Sequence, residues 1–390
     1  MNKIEKLIAQ LCPDGVPYDQ LGNLLNYEQP TRYLVKSNDY FSDAPIPVLT
    51  AGQTFILGYT RETEGIYEAS KEDPVIIFDD FTTAFQWVDF PFKAKSSAMK
   101  MLTPKTGDST TLRFLFHLLQ TIQYSPQNHA RQWIGTYSNF RIPVPPLEVQ
   151  EEIVRILDSF TQLEAELEAE LEARKHQFTH YCNHAFSTEK IQEKSLGEMG
   201  DFRRGTSFQK IHIQDYGIPA IHYGEIFTYY GSQANKTRSF VAPERFAKKR
   251  TAWPGDVILA TTSENDEDVA KAVAWLGSER IVISNDALIY RSDKLEPRYF
   301  SYFIRSDNFQ NQKKKFLTGT KVRRISAQSL MKIDIPVPPL DEQKRIADIL
   351  DMFDALANDI SSGLPVEIEA RRKQYEYYRD KLLSFEELPA

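Results

Sequence analysis

Clustered cations are the residues of this sequence best suited to bind a ligand. Residues 309–324 read FQNQKKKFLTGTKVRR and hold six lysines and arginines but no acid. Cations interleaved with Thr and Gly suit phosphate oxygens, through ion pairs and free backbone N–H groups. A smaller segment, residues 131–137 (RQWIGTY), stands at an analogous place in the first half of the chain. This recurrence favours a nucleic-acid ligand over a merely solvated basic surface.

Side chains that can bond phosphates or base edges extend the prediction to both halves of the chain. In the first half the candidate DNA-binding residues are Gln53, Tyr59, Thr82, Thr83, Lys93, Lys95, Ser97, Lys100 and Arg131. In the second half they are Arg203, Arg204, Thr262, Ser263, Asn285, Lys313, Lys314, Lys315, Thr320, Lys321, Arg323 and Arg324. Phosphate-binding cations are expected to affect all DNA sequences alike, whereas base-reading residues change which sequence is bound.

No catalytic constellation accompanies these candidates. The sequence has no glycine-rich phosphate loop, no Asp/Asn-Pro-Pro-Tyr/Phe motif that would grip an exocyclic amine, and no glycine-rich turn for S-adenosylmethionine. Its seven histidines and two cysteines show neither CxxC nor HExxH spacing, so we predict no metal site. The pair Asp79–Asp80 could belong to a metal-dependent nuclease, although a solvated turn is the commoner meaning of such a pair. We therefore predict no catalytic residue and no cofactor in this chain.

Composition limits the class of protein further. The chain has 390 residues, of which 41% are apolar and 26% charged, as in globular proteins of two or more domains. It shows neither a membrane-spanning apolar stretch nor a secretory signal, and two cysteines make no disulfide framework, so we expect a cytoplasmic protein. The net charge of −7 argues mildly against a nucleic-acid ligand. However, the acids are concentrated in residues 148–172, which hold nine acids and one arginine.

A long internal repeat organises the chain. The letters IPVPPL at residues 142–147 recur at residues 335–340, and EARKHQFTHY at residues 172–181 matches EARRKQYEYY at residues 369–378. Repetition on this scale indicates a tandem duplication. It divides the chain into four parts: a first globular domain, a first helical region, a second globular domain and a second helical region, at residues 1–141, 142–186, 187–334 and 335–390.

Each repeat has the pattern of a long amphipathic helix. Paired prolines suit a helix start, acids suit its positive end, and apolar residues every three or four positions form one stripe. The first helix is predicted over about residues 148–182, and the second is interrupted near residues 361–365 by Gly363 and Pro365. Because each stripe is too narrow to stabilise a lone helix, we predict an antiparallel coiled coil. The fold class is therefore α+β, with two pseudo-symmetric globular domains separated by two long helices.

The repeated pattern I-P-V-P-P-L-x-x-Q-x-x-I-x-x-I-L-D-x-F carries a family resemblance. It resembles the helical regions of the specificity subunit of type I restriction-modification systems, as do the opening LCPDGVPYDQLG and the ending EARRKQYEYYRDKLLSF. The resemblance covers nearly the whole chain. It implies that residues 1–141 and 187–334 are target-recognition domains, each reading one half of a bipartite DNA site. Residues 142–186 and 335–390 would then be the helical regions that space these domains.

The resemblance also implies the partners of the chain. These would be double-stranded DNA, two modification subunits that methylate adenine with S-adenosylmethionine, and motor-nuclease subunits that use ATP and Mg. Methyl transfer needs a base flipped into a pocket, which the modification subunits would supply. Asp158 and Asp351, beside the two apolar stripes, are expected to face outward toward these subunits.

A tetrapeptide repeat lies within the first helix, where residues 163–174 read LEAELEAELEAR. Its composition is typical of a well-formed exposed helix. Four residues advance a helix by ~6 Å and rotate it by ~400°, while one base pair advances DNA by ~3.4 Å and rotates it by ~35°. The sequence resembles family members with a short tetrapeptide repeat at this place. Removing residues 163–166 is therefore predicted to shorten the gap between the half-sites.

Two other functions stay open at the level of sequence. A fused nuclease or methyltransferase would need a cofactor motif that the sequence lacks. A coiled-coil adaptor with protein-binding globular domains would show no salt-sensitive DNA binding.

Overall fold

The computed structural model describes residues 3–52, 54–105, 110–126, 130–187, 191–205, 208–243, 251–358 and 363–389. The helices of these ranges are α1 (Lys3–Leu11), α2 (Leu21–Leu24), α3 (Leu112–Leu119), α4 (Leu147–Ala185), α5 (Leu196–Met199), α6 (Tyr223–Thr228), α7 (Pro297–Phe303), α8 (Asp307–Lys314), α9 (Ala327–Leu330), α10 (Leu340–Asn358) and α11 (Leu364–Leu382). Short 3-10 helices occupy Pro30–Tyr33, Tyr137–Asn139 and Lys210–His212.

The strands are short, as the punctuation by glycine and proline predicts. They are β1 (Tyr18–Gln20), β2 (Leu25–Glu28), β3 (Ile46–Leu49), β4 (Ile56–Thr60), β5 (Val75–Asp79), β6 (Phe85–Val88), β7 (Lys93–Ala94), β8 (Met99–Pro104), β9 (Arg141–Pro143), β10 (Glu193–Ser195), β11 (Asp201–Arg204), β12 (Ile213–Gln214), β13 (Ile218–Ile221), β14 (Gln233–Ala234), β15 (Ser239–Val241), β16 (Thr251–Ala252), β17 (Val257–Ala260), β18 (Thr262–Ser263), β19 (Ala272–Trp275), β20 (Ile281–Ile283), β21 (Ala287–Arg291), β22 (Arg323–Arg324) and β23 (Asp334–Pro336).

The chain forms two compact units, which we describe separately. Unit 1 comprises Met1–Ala165 and Ala370–Ala390, and unit 2 comprises Glu166–Glu369. Each unit therefore combines one globular part with segments of both helical repeats. The linear domain boundaries predicted at residues 141/142, 186/187 and 334/335 divide the chain by sequence, and they stay predictions.

The sheets of the two units have matching strand orders. Unit 1 has an antiparallel sheet in the order β2-β8-β5-β6, and unit 2 has a sheet in the order β11-β21-β17-β19-β14. In a second sheet of each unit, one parallel pair recurs, β3 with β7 and β13 with β20. Two-strand ribbons also correspond, β1 with β9 and β10 with β23. Duplication therefore preserved the topology of globular parts whose sequences have diverged.

Helix packing in unit 1 is antiparallel. The ring of Phe160 on α4 stacks on that of Tyr378 on α11, with centroids 5.5 Å apart and an interplanar angle of 16°. One turn further along α4, Glu164 is bonded by Arg372, which lies earlier in α11. Partners that run in opposite directions along the two helices define an antiparallel pair. Val149 and Leu157 of the same stripe on α4 are fully buried in the core of unit 1.

Unit 2 repeats this packing with the other helical segments. Tyr181 of α4 stacks on Phe353 of α10, with centroids 4.9 Å apart and an angle of 21°. Each phenylalanine lies two residues after the aspartate of the ILD motif, and each tyrosine ends one of the two matched ten-residue segments. The same ring pair therefore occurs once in each unit with the roles of the repeats exchanged. The α+β fold class with long helices is confirmed.

Residues near the two ends of the sequence meet within unit 1. The Val16 amide donates to the Glu386 carbonyl at 2.9 Å, and the Leu388 amide donates to the Val16 carbonyl at 3.0 Å. Gly15 permits this approach, because a Cβ there would lie 2.6 Å from the Glu386 carbonyl oxygen and its φ is +104°. Leu382 and Leu383 are buried in the same core as Ile4 of α1.

Candidate nucleic-acid interface

In unit 1 several candidate residues meet around the turn that follows β5. The backbone of Asp80 makes two hydrogen bonds in this turn. Its amide donates to the Ala98 carbonyl at 3.0 Å, and its carbonyl accepts from the Gln132 amide at 2.8 Å. These two bonds hold two other parts of the chain against the end of β5. One is the turn after β7, and the other is the segment that begins at residue 130. Thr82, Ser97 and Arg131 all lie exposed on the segments thus joined.

Unit 2 has the same pattern of bonds around the turn that follows β17. The Thr261 amide donates to the Asp286 carbonyl at 3.0 Å, and the Thr261 carbonyl accepts from the Ile325 amide at 3.1 Å. The next residues form the β18–β22 ribbon, in which Thr262 pairs with Arg324 and Ser263 with Arg323.

These bonds place the candidates of the two units in register. Ser97 and Asn285 each precede the carbonyl that accepts the first bond, and Arg131 and Arg324 each precede the amide that donates the second. We name the two groups by their residues. The first turn cluster is Thr82, Lys95, Ser97 and Arg131. The second turn cluster is Arg204, Thr262, Ser263, Asn285 and Arg324.

Arg204 and Lys95 are assigned to the clusters because their backbone positions lie next to the turns. Arg204 ends β11 opposite Leu288, and the next residue, Gly205, donates its amide to the Ala287 carbonyl at 3.3 Å. Lys95 follows β7 and is half-buried, with its Nζ bonded to Asn38 and 5.5 Å from the centre of the Tyr40 ring. Both positions therefore adjoin the turns that carry Asn285 and Ser97.

Most of the basic segment of unit 2 lies exposed near the second turn cluster. Thr320 and Lys321 occupy the loop before β22, while Lys314 and Lys315 end α8. Arg323 differs from these residues because its guanidinium bonds both carboxylate oxygens of Asp266 and the Gly319 carbonyl. Its charge is therefore balanced within the protein.

Three candidate lysines are buried, and the expectation that they bind DNA is corrected on that ground. Lys93 is 1% exposed and donates to the Glu64 carbonyl at 2.6 Å. Lys100 is fully buried, with its Nζ 3.1 Å from Asp80 Oδ2. Lys313 is fully buried and donates to the Glu267 and Val269 carbonyls at 2.9 Å. An ammonium bonded inside the protein cannot reach a phosphate.

Four other candidates lie outside the two clusters or cannot be placed. Thr83 is buried in the turn after β5, and half-buried Tyr59 lies on β4 opposite Pro47. Arg203 lines a cavity of about 410 Å³ together with residues 197–201 and 291–294, at the far end of β21 from Asn285. Gln53 falls outside the described residues.

A polar junction joins the globular part of unit 1 to its helices. Asp158 of α4 accepts from Arg113 Nε at 2.8 Å and from His117 Nε2 at 2.9 Å, both on α3. His117 Nδ1 lies 3.1 Å from the Tyr375 hydroxyl of α11, and that hydroxyl donates to Gln120. Three separate segments of the chain are thus bonded to one another.

Unit 2 has the corresponding junction with different residues. Asp351 of α10 accepts from Arg298 Nη1 at 2.7 Å and from the Tyr302 hydroxyl at 2.6 Å, both on α7. The expectation that Asp158 and Asp351 face outward to partner subunits is therefore wrong, because both carboxylates bond the globular part of their own unit. An apolar stripe shows which helix face is buried, but it does not show what bonds the polar residues at its border.

The two junctions differ in how they respond to pH. Burial lowers the pKa of His117, and this effect outweighs the opposing hydrogen bond with Asp158. Burial alone would raise the pKa of Asp158, but the hydrogen bond from His117 and the charge of Arg113 outweigh burial and lower it. Tyr302, which takes the place of His117 in unit 2, has its pKa raised by burial. The junction of unit 1 therefore contains a histidine whose pKa is lowered by burial, where unit 2 has a tyrosine whose pKa is raised.

The sequence analysis singled out Asp158 and Asp351 with another role and did not identify their partners, although a signal for the two arginines exists. The segments LRFLFHLLQ and PRYFSYFIR both carry arginine at their second position, at similar distances before the two IPVPPL repeats. The glutamine of each repeat also has a fixed role. Gln150 and Gln343 are buried, and each donates to a carbonyl of the preceding proline pair, at 2.8 and 2.9 Å.

Metal-binding and membrane-spanning features were sought in the same ranges. Among the described residues, no three His, Cys, Asp or Glu side chains are grouped to hold a metal ion. Asp80 of the Asp79–Asp80 pair is bonded to the Trp133 amide at 2.8 Å and is fully buried, so the pair is not simply a solvated turn. Within the described part of the chain, no helix has the length and apolar character needed to cross a bilayer.

Known proteins include relatives that match this chain over its full length. The chain is 41% identical over 397 residues to the Type I restriction enzyme EcoR124I/EcoR124II specificity subunit of Escherichia coli, covering 99% of this chain and 97% of that one. It is 29% identical to the putative type I restriction enzyme specificity subunit S.HindORF215P of Haemophilus influenzae, with 98% of both chains covered.

Solved structures share the fold at lower sequence identity. The type I restriction-modification S subunit from M. genitalium superposes with a TM-score of 0.59 at 12% identity, covering 95% of this chain and 96% of that chain. A chain from a study of complex assembly and conformational transition of the type I R-M system gives 0.56 at 17% identity, covering 95% and 98%. The family described as "Type I restriction modification DNA specificity domain" matches residues 20–173 and again residues 188–370. The chain therefore belongs to the family of type I restriction-modification DNA specificity proteins.

Proposed function

We propose that this chain selects a bipartite site in double-stranded DNA, with unit 1 reading one half and unit 2 the other. The observation that carries this proposal is the register of the two turn clusters. Both lie at the same end of topologically equivalent sheets, and both combine an exposed arginine with polar residues able to bond base edges. A duplicated reader is the arrangement that a site in two parts requires.

The chemistry is assigned to other chains. The turn clusters contain Thr, Ser, Asn, Lys and Arg, which bind DNA but provide no group to activate a methyl acceptor. We therefore propose that the chain is non-catalytic and docks two modification subunits, which hold S-adenosylmethionine and methylate adenine. Motor-nuclease subunits would supply ATP- and Mg-dependent cleavage, and the complex would work on DNA in the cytoplasm.

The test is to sequence methylated bases in DNA from cells that produce this chain together with its modification subunit. We expect methyladenine in a single motif made of two specific parts separated by a fixed, unspecific gap. The matched controls are cells with either chain alone, in which we expect no such motif. A motif without a gap, or methylation by the modification subunit alone, would overturn the proposal.

A purified complex separates this function from the two alternatives. We expect duplex binding that weakens steeply with salt, since phosphate contacts release counterions. Absence of salt-sensitive binding would favour the adaptor. Methylation or cleavage of DNA by the purified chain alone would favour the enzyme.

A further inference from the structure

An identical residue in two diverged clusters needs a common reason. Arg131 and Arg324 occupy the same position, one residue before the amide that bonds Asp80 or Thr261. The residue that precedes the carbonyl of the first bond differs between the units: it is Ser97 in unit 1 and Asn285 in unit 2. Two reasons can retain an arginine at equivalent places, either a bond that the fold needs or a ligand that both units share.

Neither of these two guanidinium groups makes a close bond within the described part of the fold. Within the described part of the chain, the side chain of Arg324 makes no hydrogen bond or ion pair, and that of Arg131 makes one long ion pair, 3.8 Å from Asp80 Oδ2. Lys100 is the closer partner of Asp80, at 3.1 Å, and the Arg131 side chain is 52% exposed, so an external partner can reach it. By contrast, the equivalent arginines 113 and 298 both bond a carboxylate of their own unit.

Resting on the proposed function, we propose a division of labour inside each turn cluster. Arg131 and Arg324 each hold a DNA phosphate, and Ser97 and Asn285 each read a base edge. Phosphates are what two half-sites share whatever their sequences, so the residue that binds them can stay the same in both units. Base edges differ between half-sites, so the residues that read them must differ.

Side-chain chemistry agrees with this assignment. A guanidinium is always charged and offers paired N–H donors that match phosphate oxygens. Asn can donate and accept at once, which the edge of adenine requires in the major groove. Ser also donates and accepts but reaches less far. Asn285 and Ser97 are both exposed, so the expected contacts need no rearrangement of the sheets.

The test uses the full chain in complex with its modification subunits and two duplexes, one bearing the methylated motif and one with that motif scrambled. We expect R131Q and R324Q each to weaken binding of both duplexes by the same factor, about tenfold at low salt. Each should also reduce the slope of log K against log[salt] by about 0.9. The methylated motif should stay unchanged.

The matched controls each remove one exposed positive charge from the end of a strand opposite to the end that leads into a turn cluster. K71Q lies before β5 and R280Q directly before β20, both away from the turns, and we expect neither to change the salt slope. N285S should change the preference at one motif position by about 5- to 150-fold and leave the salt slope unaltered.

Two results would overturn the inference. If R131Q or R324Q changes the methylated motif, the arginine reads a base. If neither variant changes affinity or slope while the wild-type complex binds DNA, the arginines lie off the DNA. Failure of the wild-type complex to bind either duplex would instead overturn the proposed function, so the two failures are distinguishable.

Discussion

Asp80 and Lys100 form an ion pair with no exposed surface on either side chain. Their equivalents in unit 2 are Thr261 and Leu288, as the matching bonds and strand pairings show. One unit therefore anchors the turn of its cluster with buried charges, and the other does so with a hydroxyl and an apolar side chain. The same turn is therefore compatible with either pair of residues, Asp80 with Lys100 or Thr261 with Leu288, as long as both members of the pair are present.

This equivalence gives a prediction for stability. K100L alone leaves the buried Asp80 carboxylate with only the exposed Arg131 as a positive neighbour, 3.8 Å from its Oδ2, and we expect this to cost about 3–5 kcal/mol of unfolding free energy. The double variant D80T/K100L installs the pair found in unit 2 and should recover most of that loss. Urea unfolding of the wild type, both single variants and the double variant measures the coupling. Additive losses in the double variant would contradict it.

His117 gives a second prediction at this scale. Because burial lowers its pKa in the folded state, the unfolded chain binds the proton more readily below the ordinary pKa of about 6.5. Stability is therefore fully present above that pH and falls as the pH drops from about 6.5 toward the lowered pKa.

The matched variant is H117Y, which installs the residue of unit 2. We expect the midpoint of thermal unfolding to fall less between pH 7.5 and 5.5 (roughly one unit either side of the free pKa) in H117Y than in the wild type. H176Q, which removes an exposed histidine of α4, is the control and should keep the wild-type pH dependence. Equal dependence in all three proteins would exclude His117 as the cause.

At the scale of elements, the helices were the most predictable part of the fold. The stripe repeated in two copies predicted a helix over about residues 148–182, and α4 runs from Leu147 to Ala185. The break near residue 363 was also predicted, and α10 ends at Asn358 while α11 begins at Leu364. Periodicity succeeded here because helix burial depends on spacing along one segment.

The sheets and the site were less predictable because they depend on distant residues. Short apolar runs at residues 74–78 and 256–259 have the composition of strands, and the structure has strands at Val75–Asp79 and Val257–Ala260. The order of the strands cannot be predicted in this way, since pairing partners lie far apart in the sequence. For the same reason, charge alone could not separate exposed Arg131 and Arg324 from buried Lys100. A lysine next to an apolar run looks the same whether its carboxylate partner exists or not.

Helix α4 carries the prediction at this scale. Deletion of residues 163–166 removes slightly more than one turn, so it keeps the rest of the helix nearly in phase, with a rotation of ~40°. We expect the complex with this deletion to methylate the same two half-sites with a gap shorter by about one to two base pairs, since the ~40° rotation matches about one base pair and the ~6 Å rise nearly two. Methylation mapping that returns the original gap would contradict this prediction. As a control, replacing residues 163–166 by four alanines should leave the gap unchanged.

At the scale of the whole molecule, two units of matching topology carry different residues in equivalent clusters. At the equivalent position unit 1 offers Ser97, whereas unit 2 offers Asn285. Each unit has its own core, and each turn cluster lies within one unit. The two halves of the DNA site should therefore be alterable one at a time.

The corresponding prediction concerns S97A and N285A in the assembled complex. We expect S97A to relax specificity only within one half of the methylated motif and N285A only within the other, each by about 1–3 kcal/mol. The double variant should show the sum, because distant sites are additive. Methylome sequencing of the three strains tests this, and a change that appears in both halves after one substitution would contradict it.

The pairing of Val16 with Glu386 and Leu388 has a consequence for biosynthesis. Unit 2 is contiguous in the sequence, so it can fold as it leaves the ribosome. Unit 1 cannot complete its fold until Ala370–Ala390 has been synthesised, long after its first 165 residues. At ~5–20 residues per second that wait lasts about 10–40 s. During this time Ile4, Ile153 and Leu157 lack the leucines that later cover them. Nascent unit 1 is thus the part of the chain most in need of a chaperone.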